Sequence, residues 1–316
     1  GDTVKVISGD NPEAVSAIAT GLEIPGGDRA VDARDLPDDV DKLGELLDAN
    51  TVFGRVTPQQ KRHFVAALQK RGHTVAMTGD GVNDVLALKD ADLGIAMGAG
   101  SPATKAVAQV VLLDNRFATL PYVVGEGRRV LANIERVSNL FLTKTFYAIV
   151  LSLLTGVIGL AFPFAPRHST LVNALTIGIP AFFLALAPTL ERSKPGFVAR
   201  VLRFAVPAGV ICAAAVFVTF AAAGGHVGDR TSAVITLFLT TWWVLVLIAR
   251  PLNWWRVGLI GSMAALFAIA LSIPWIREFF ALEAGDVGND LTAVGISVVA
   301  AICISVAVKV TGTLRT

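Results

Sequence analysis

The sequence of 316 residues holds two cysteines, and charged residues make up only 16% of it. Cys212 and Cys303 lie far apart, each inside an apolar run and without the spacing of metal ligands. They read as small buried hydrophobes, which excludes a disulfide framework. Lysine and arginine nowhere cluster among aromatics, and the net charge is +2. The electrostatic footprint of a nucleic-acid binder is therefore missing, and no nucleic-acid partner is expected. No initiator methionine and no signal peptide precede the first strand-like run at Val4. The expectation is a chain that begins inside a domain and forms the C-terminal piece of a longer protein.

Apolar residues, in contrast, reach 53% with a positive mean hydropathy, too much for an ordinary soluble protein of this size. The excess lies in one half. Residues 1–136 carry most of the charge and alternate short strands with helices, whereas 138–308 are apolar runs separated by brief polar breaks. An α/β domain over 1–130 followed by an all-α membrane domain over 131–316 is expected.

In the α/β part, residues 74–78 form a short buried-strand pattern, and Val85-Leu86-Ala87-Leu88 continues as helix. Asp80 therefore falls at the carboxyl end of a strand, the edge where open α/β sheets bind ligands. Asp80 and Asp84 are four apart, so a carboxylate at the turn and one on the first helical turn can face one point. Such a pair suits Mg²⁺, which is held by few carboxylates plus water and phosphate. A helix cap with a solvated partner would use the same residues. Other strands are expected at 4–7, 51–56, 93–98 and 110–113, separated by helices, which predicts a parallel, doubly wound sheet. Residues 25–50, rich in Asp, Pro and Gly, read as a surface connection with one short helix near Leu43–Leu47. Ser8-Gly9-Asp10 precedes Pro12, which opens a helix; it offers a hydroxyl and an N–H to a phosphoryl oxygen, or serves as a plain cap. Lys61 sits in the first turn of a helix capped by Thr57-Pro58, where an anionic partner would offset the unfavourable dipole; a solvated lysine is the alternative. From Phe117 a helical pattern runs unbroken into the first apolar run, which would join the α/β domain mechanically to the bilayer.

Apolar runs at about 138–162, 170–190, 204–224, 231–249, 257–276 and 291–308 each approach the ~20 residues that cross ~30 Å of hydrocarbon. Six spans from a cytosolic start return the C-terminus to the cytosol. Arg192, Lys194, Arg200, Arg203, Arg250, Arg256, Lys309 and Arg315 then fall inside, against Arg167, Arg230, Arg277, Glu283, Asp286 and Asp290 outside. Lys144 and Thr145 in the first span, and Asn173, Thr176 and the Gly178-Ile179-Pro180 break in the second, are polar where polarity is costly, and a broken span frees carbonyls for a cation. Snorkelling would account for Lys144, and an interhelical hydrogen bond for Asn173.

Thr78-Gly79-Asp80-Gly81-Val82-Asn83-Asp84 resembles the hinge motif of P-type cation-transporting ATPases, members of the haloacid-dehalogenase superfamily, in their actinobacterial branch. Two companions, Ile7-Ser8-Gly9-Asp10 and Pro58-Gln59-Gln60-Lys61, stand in the superfamily's order. The resemblance implies that residues 1–130 are part of the phosphorylation domain. It makes Asp80 the Mg²⁺ ligand, with Asp84 supporting it and Asn83 in the same catalytic loop. It gives Lys61 the charge of the transferred phosphoryl group, Ser8, Gly9 and Asp10 the phosphoryl oxygens, and Arg55 a place near the nucleotide. The phosphorylated Asp-Lys-Thr-Gly-Thr motif is missing; Asp41-Lys42-Leu43-Gly44-Glu45 is a near miss that reads as a helix start. The resemblance thus implies an upstream part with the nucleophile, actuator and nucleotide-binding domains and first spans, and ATP bound mainly there. This chain alone should not turn over ATP. Residues 172–178 resemble the ion-binding span of calcium and sodium pumps, with Ile177 where those have Asp. Asn173, Thr176, Lys144 and Thr145 become the transported-ion residues, for at most one divalent ion. The implied whole is a monomeric, multi-pass plasma-membrane pump for Ca²⁺, with another divalent ion, K⁺ or H⁺ as alternatives. A membrane-anchored phosphatase or a passive channel is the rival.

Overall fold

The computed structural model describes residues 3–186, 196–226, 230–283 and 287–312. Arg192, Lys194, Asp286 and Arg315, assigned to loops and tail above, and residues 187–190 of the expected second span lie outside these. The chain divides into two compact units, Gly1–Val123 and Val124–Thr316.

In the first unit, strand and helix alternate: β1 (Val6–Ile7), α1 (Pro12–Gly21), β2 (Ala30–Asp32), α2 (Val40–Ala49), β3 (Val52–Gly54), α3 (Pro58–Lys70), β4 (Ala76–Gly79), α4 (Val85–Asp90), β5 (Leu93–Met97), α5 (Pro102–Val107) and β6 (Val110–Leu112). Local chemistry sets the helix starts. Asn11 accepts from Glu13 N ahead of Pro12, Asp39 accepts from Asp41 N and Lys42 N, and Ser101 accepts from Thr104 N. The Asp41-Lys42 near miss is thus the first turn of α2, whose Leu43 and Leu47 are buried.

Every strand pair is parallel. The ladders form two three-stranded sheets, β1-β3-β2 and β4-β5-β6, rather than the one doubly wound sheet expected. Each has its own core: Phe53 and Phe64 meet edge to face at 5.2 Å beneath the first, and Met77, Ala87 and Leu88 gather beneath the second. Strand β2 corrects the reading of 25–50 as surface connection. Its three residues carry no periodic signal of their own and become a strand only by pairing in register with β3, Ala30 opposite Val52 and Asp32 opposite Gly54.

The second unit is helical. Helix α6 (Leu120–Ile158) begins four residues before the boundary between the units and runs unbroken for 39 residues. Then follow α7 (Pro166–Asn173), a wide π turn (Ala174–Gly178), α8 (Ile179–Ala185), α9 (Phe197–Ala222), α10 (Arg230–Ile248), α11 (Trp254–Ser272), α12 (Pro274–Phe279) and α13 (Val287–Val310). Among the described residues, six helical segments, counting α7 through α8 as one, are long and apolar enough to cross a membrane. Helix α10 is the bundle's axis, buried over most of its length against α9 and α13. Helices α6 and α9 cross closely at Gly209, where a Cβ would lie 2.5 Å from Phe146 Cβ.

Candidate functional site

At the carboxyl end of β4, backbone and side chain interlock. Asp84 closes the turn that follows the strand, donating its N–H to Gly81 O at 3.1 Å, and its carboxylate folds back over Gly79. A Cβ on Gly79 would sit 2.6 Å from Asp84 Oδ2, so only glycine leaves room for that acid. Lys61 Nζ donates to Asp84 Oδ1 at 2.7 Å, in a pair whose side chains are 13% and 10% exposed. Lys61 is delivered there by the start of α3. Thr57 and Gln60 form a reciprocal capping box, and Gln60 Nε2 also donates to Ala33 O at 2.7 Å.

Asp80 is treated differently. Its backbone carbonyl accepts from Ser101 N at 2.9 Å, and the next carbonyl, Gly81 O, accepts from Thr104 Oγ1 at 3.0 Å. The loop is clamped by a fully buried threonine of α5, while the Asp80 side chain stays exposed and no hydrogen bond or ion pair engages it among the described residues. Asn83 is exposed beside it. The sequence offered no signal for Thr104, which read there only as part of a helix start.

The other residues assigned to phosphate and nucleotide form a second group. Ser8 Oγ donates to Asp10 Oδ2 at 3.0 Å and accepts from Asp10 N, so its hydroxyl is engaged locally rather than free. Arg55 N donates to Asp10 O at 2.7 Å and Val56 N to Ser8 O at 3.0 Å, which ties the end of β3 to the Ser8-Gly9-Asp10 loop. Arg55 takes φ of 55°, unusual for a non-glycine residue, and its guanidinium holds Asp32 at 2.5 Å. Hydrogen bonds from Arg34 first, with Arg55 adding to them, keep the Asp32 carboxyl well below the usual carboxylate range. Among the described residues no hydrogen bond links this group to Lys61 and Asp84.

No cluster of three or more His, Cys, Asp or Glu gathers among the described residues. An all-protein cage for a metal is absent there. Two carboxylates at one strand end, one buried against a lysine and one exposed on a clamped loop, fit Mg²⁺, which keeps waters and takes further oxygens from phosphate.

In the helical unit, Asn173 ends α7 with its Oδ1 buried and without a hydrogen-bond partner. The break read at Gly178-Ile179-Pro180 takes the form of a π turn. Pro180 has no N–H to return to the preceding turn, so the helix widens over 174–178 and continues. Thr176 Oγ1 donates to Val172 O at 2.8 Å, leaving its oxygen as an acceptor. Lys144 is half-buried. Thr145 is exposed and bonds Phe141 O of its own helix, so the structure turns it away from the inward role expected for it. Asn139 Oδ1 is a second buried acceptor without a partner, which the sequence reading missed; its only signal was an amide at the head of an apolar run.

Comparison with known proteins finds relatives along most of the chain. Residues 3–92 match the haloacid dehalogenase-like hydrolase family. The chain is 53% identical to the calcium-transporting ATPase CtpE of Mycobacterium tuberculosis over 95% of its own length, and 51% identical to CtpE of Mycolicibacterium smegmatis over 96%. The chain is a homologue of P-type cation-transporting ATPases. A probable cation-transporting ATPase of Streptococcus pneumoniae, exp7, is 34% identical over 89% of the chain. The chain spans about 40% of the length of these ATPases.

Proposed function

We propose that this chain is the C-terminal part of an ATP-driven cation pump that works through an aspartyl-phosphate, with Ca²⁺ as the transported ion. The observation that carries the reading is the Lys61–Asp84 pair roofing Gly79 beside the exposed Asp80, at the carboxyl edge of a parallel sheet. Asp80 would hold Mg²⁺ with Asp84 in support; bound there, the ion would supply charge stabilisation to the phosphoryl group in transfer. Asp84 orients the Lys61 ammonium, which neutralises phosphoryl charge, and Asn83 stands in the same loop. Ser8 and Gly9 with Asp10 would receive phosphoryl oxygens once the Ser8–Asp10 bond is exchanged, and Arg55 would face the nucleotide. The nucleophile comes from the part of the polypeptide that the longer relatives possess. The ladders leave room for it, since β1 pairs only with β3 and β4 only with β5 among the described residues.

Calcium is supported by the relatives named calcium-transporting ATPases. Asn173 Oδ1 and the π turn beside it offer neutral oxygens in a span, and the described spans contribute no carboxylate at mid-depth, which limits the chain to part of one divalent site. Lys144 on α6 is the remaining candidate near the ion path. The pump would lie in the plasma membrane as a monomer, with both ends of this chain cytosolic.

The test is Asp80→Asn in the full-length protein. Losing this carboxylate should lower phosphoenzyme formation from ATP on the order of 10²–10³-fold, the scale at which electrostatic stabilisers act. Acid-stable phosphoenzyme at the parent level would defeat the assignment.

A further inference from the structure

On the flank of the helical bundle, α10 and α13 enclose a long apolar furrow of about 510 Å³. One wall is Trp242 and Trp243. The other is a row at four-residue intervals along α13, Ser297, Ala301 and Ser305, whose small side chains opposite two indoles leave the space unfilled, with Lys309 next in the row. The polar atoms in this wall are already engaged. Ser297 Oγ donates to Ala293 O at 2.6 Å, Ser305 Oγ donates to Ala301 O at 2.7 Å, and Trp243 Nε1 donates to Ser305 Oγ at 2.8 Å. A polar ligand would find no free donor between Ser297 and Ser305, whereas an apolar chain would lose no hydrogen bond by lying there. The furrow ends at Lys309, an exposed ammonium one turn beyond Ser305 with no ion pair among the described residues.

Dimensions choose between occupants. The lining runs from Val294 to Lys309 on α13, about 22 Å at ~1.5 Å per residue. Spread over that length, the volume leaves a cross-section narrower than the ~10 Å cylinder of an α-helix. A single hydrocarbon chain fits where a helix does not. We propose that this furrow is a binding site for an anionic phospholipid, with one acyl chain against Trp242 and Trp243 and the phosphate at Lys309. The proposal rests on membrane insertion alone and is independent of ion transport.

The experiment uses the full-length protein in phosphatidylcholine vesicles doped with a minor fraction of lipid brominated on its acyl chains, either phosphatidylglycerol or phosphatidylcholine. Subtracting the quenching of a Trp242→Phe/Trp243→Phe double variant isolates the two furrow indoles from all others. Brominated phosphatidylglycerol should quench that component severalfold more than brominated phosphatidylcholine, and Lys309→Gln should bring the ratio to one. Equal quenching by both lipids in the parent protein would mean ordinary bilayer contact and overturn the site. Quenching by neither would show the furrow covered by protein and overturn it as well. A preference that survives Lys309→Gln would remove the phosphate contact on which the proposal depends. A failure of the pump reading would leave every one of these outcomes unchanged.

Discussion

The two units of this chain use polar side chains in opposite ways. In the α/β unit, polar groups reach across sequence to join elements: Lys61 to Asp84, Arg55 to Asp32, Arg71 to Asp48 and Arg62 to Asp90. In the helical unit most hydroxyls turn back on their own helix four residues earlier, as Thr143, Thr155, Thr176, Thr219 and Thr240 do. Water competes for any exposed polar group, so a surface domain can leave one unpaired at little cost. A bundle in hydrocarbon cannot, and the nearest carbonyl is the safest partner. The contrast teaches where function concentrates. In the first unit it lies with the pair that is buried and the acid beside it that is not; in the second, with the few acceptors that no local bond absorbs, Asn173 Oδ1 and Asn139 Oδ1.

The sharpest way to break this comparison is to remove the cross-sequence pair. Lys61→Ala in the full-length protein should reduce phosphoenzyme formation about 10²–10³-fold. Gly79→Ala should act in the same direction without touching either charge, because its Cβ displaces the Asp84 carboxylate. Parent-level phosphorylation in Gly79→Ala would show that the roof over the strand end is packing and not part of the site.

The helical counterpart is geometric. Gly209→Ala puts a Cβ against Phe146 Cβ and 2.9 Å from the Thr143 carbonyl, both on the neighbouring helix. Overpacking of this kind costs about 1–3 kcal/mol, so the thermal midpoint of the solubilised protein should fall by several degrees. An unchanged midpoint would mean that α6 and α9 separate freely.

A smaller effect is expected at the orphaned acceptor. Asn173→Ala removes one neutral oxygen and should weaken apparent ion affinity by about tenfold, equivalent to ~1.4 kcal/mol, in ion-dependent ATPase assays. Lys144→Ala and Lys144→Arg beside it separate two roles. An ammonium near the ion path shifts affinity in both variants, whereas near-native affinity in both assigns Lys144 to the interface.

The mildest test is acid. Hydrogen bonds from Arg34 to Asp32, from Arg71 to Asp48, from Val75 N to Asp92 and from Thr119 to Asp114 each hold a carboxyl below its ordinary value. A folded pKa below the unfolded one contributes stability that is complete above the unfolded value, about 3.9 for aspartate, and is lost as pH falls from there. Limited proteolysis of the α/β unit should therefore stay flat from neutral pH down to about 4 and rise below it. Susceptibility that climbs already near pH 6 would implicate histidine instead.

Residue chemistry at short range was readable from the chain alone. The cap at Thr57-Pro58, the helix start at Pro12, the strand-turn-helix at Met77–Asp84, the decoy at Asp41-Lys42 and six apolar runs all express themselves within a few residues, because capping, periodicity and hydropathy are local properties. Folding in three dimensions decided the rest. Strand β2 exists only as the edge of β3, and the parallel ladders divide into two sheets because β1 and β4 do not pair with each other. Ser8 is engaged by Asp10, Arg55 by Asp32 and Lys61 by Asp84, the last two across 23 residues each. Thr145 points outward while Asn173 keeps a buried oxygen unbonded. No pattern along the chain encodes these, since which of many equivalent acids, hydroxyls and amides meets a given partner depends on how distant elements pack.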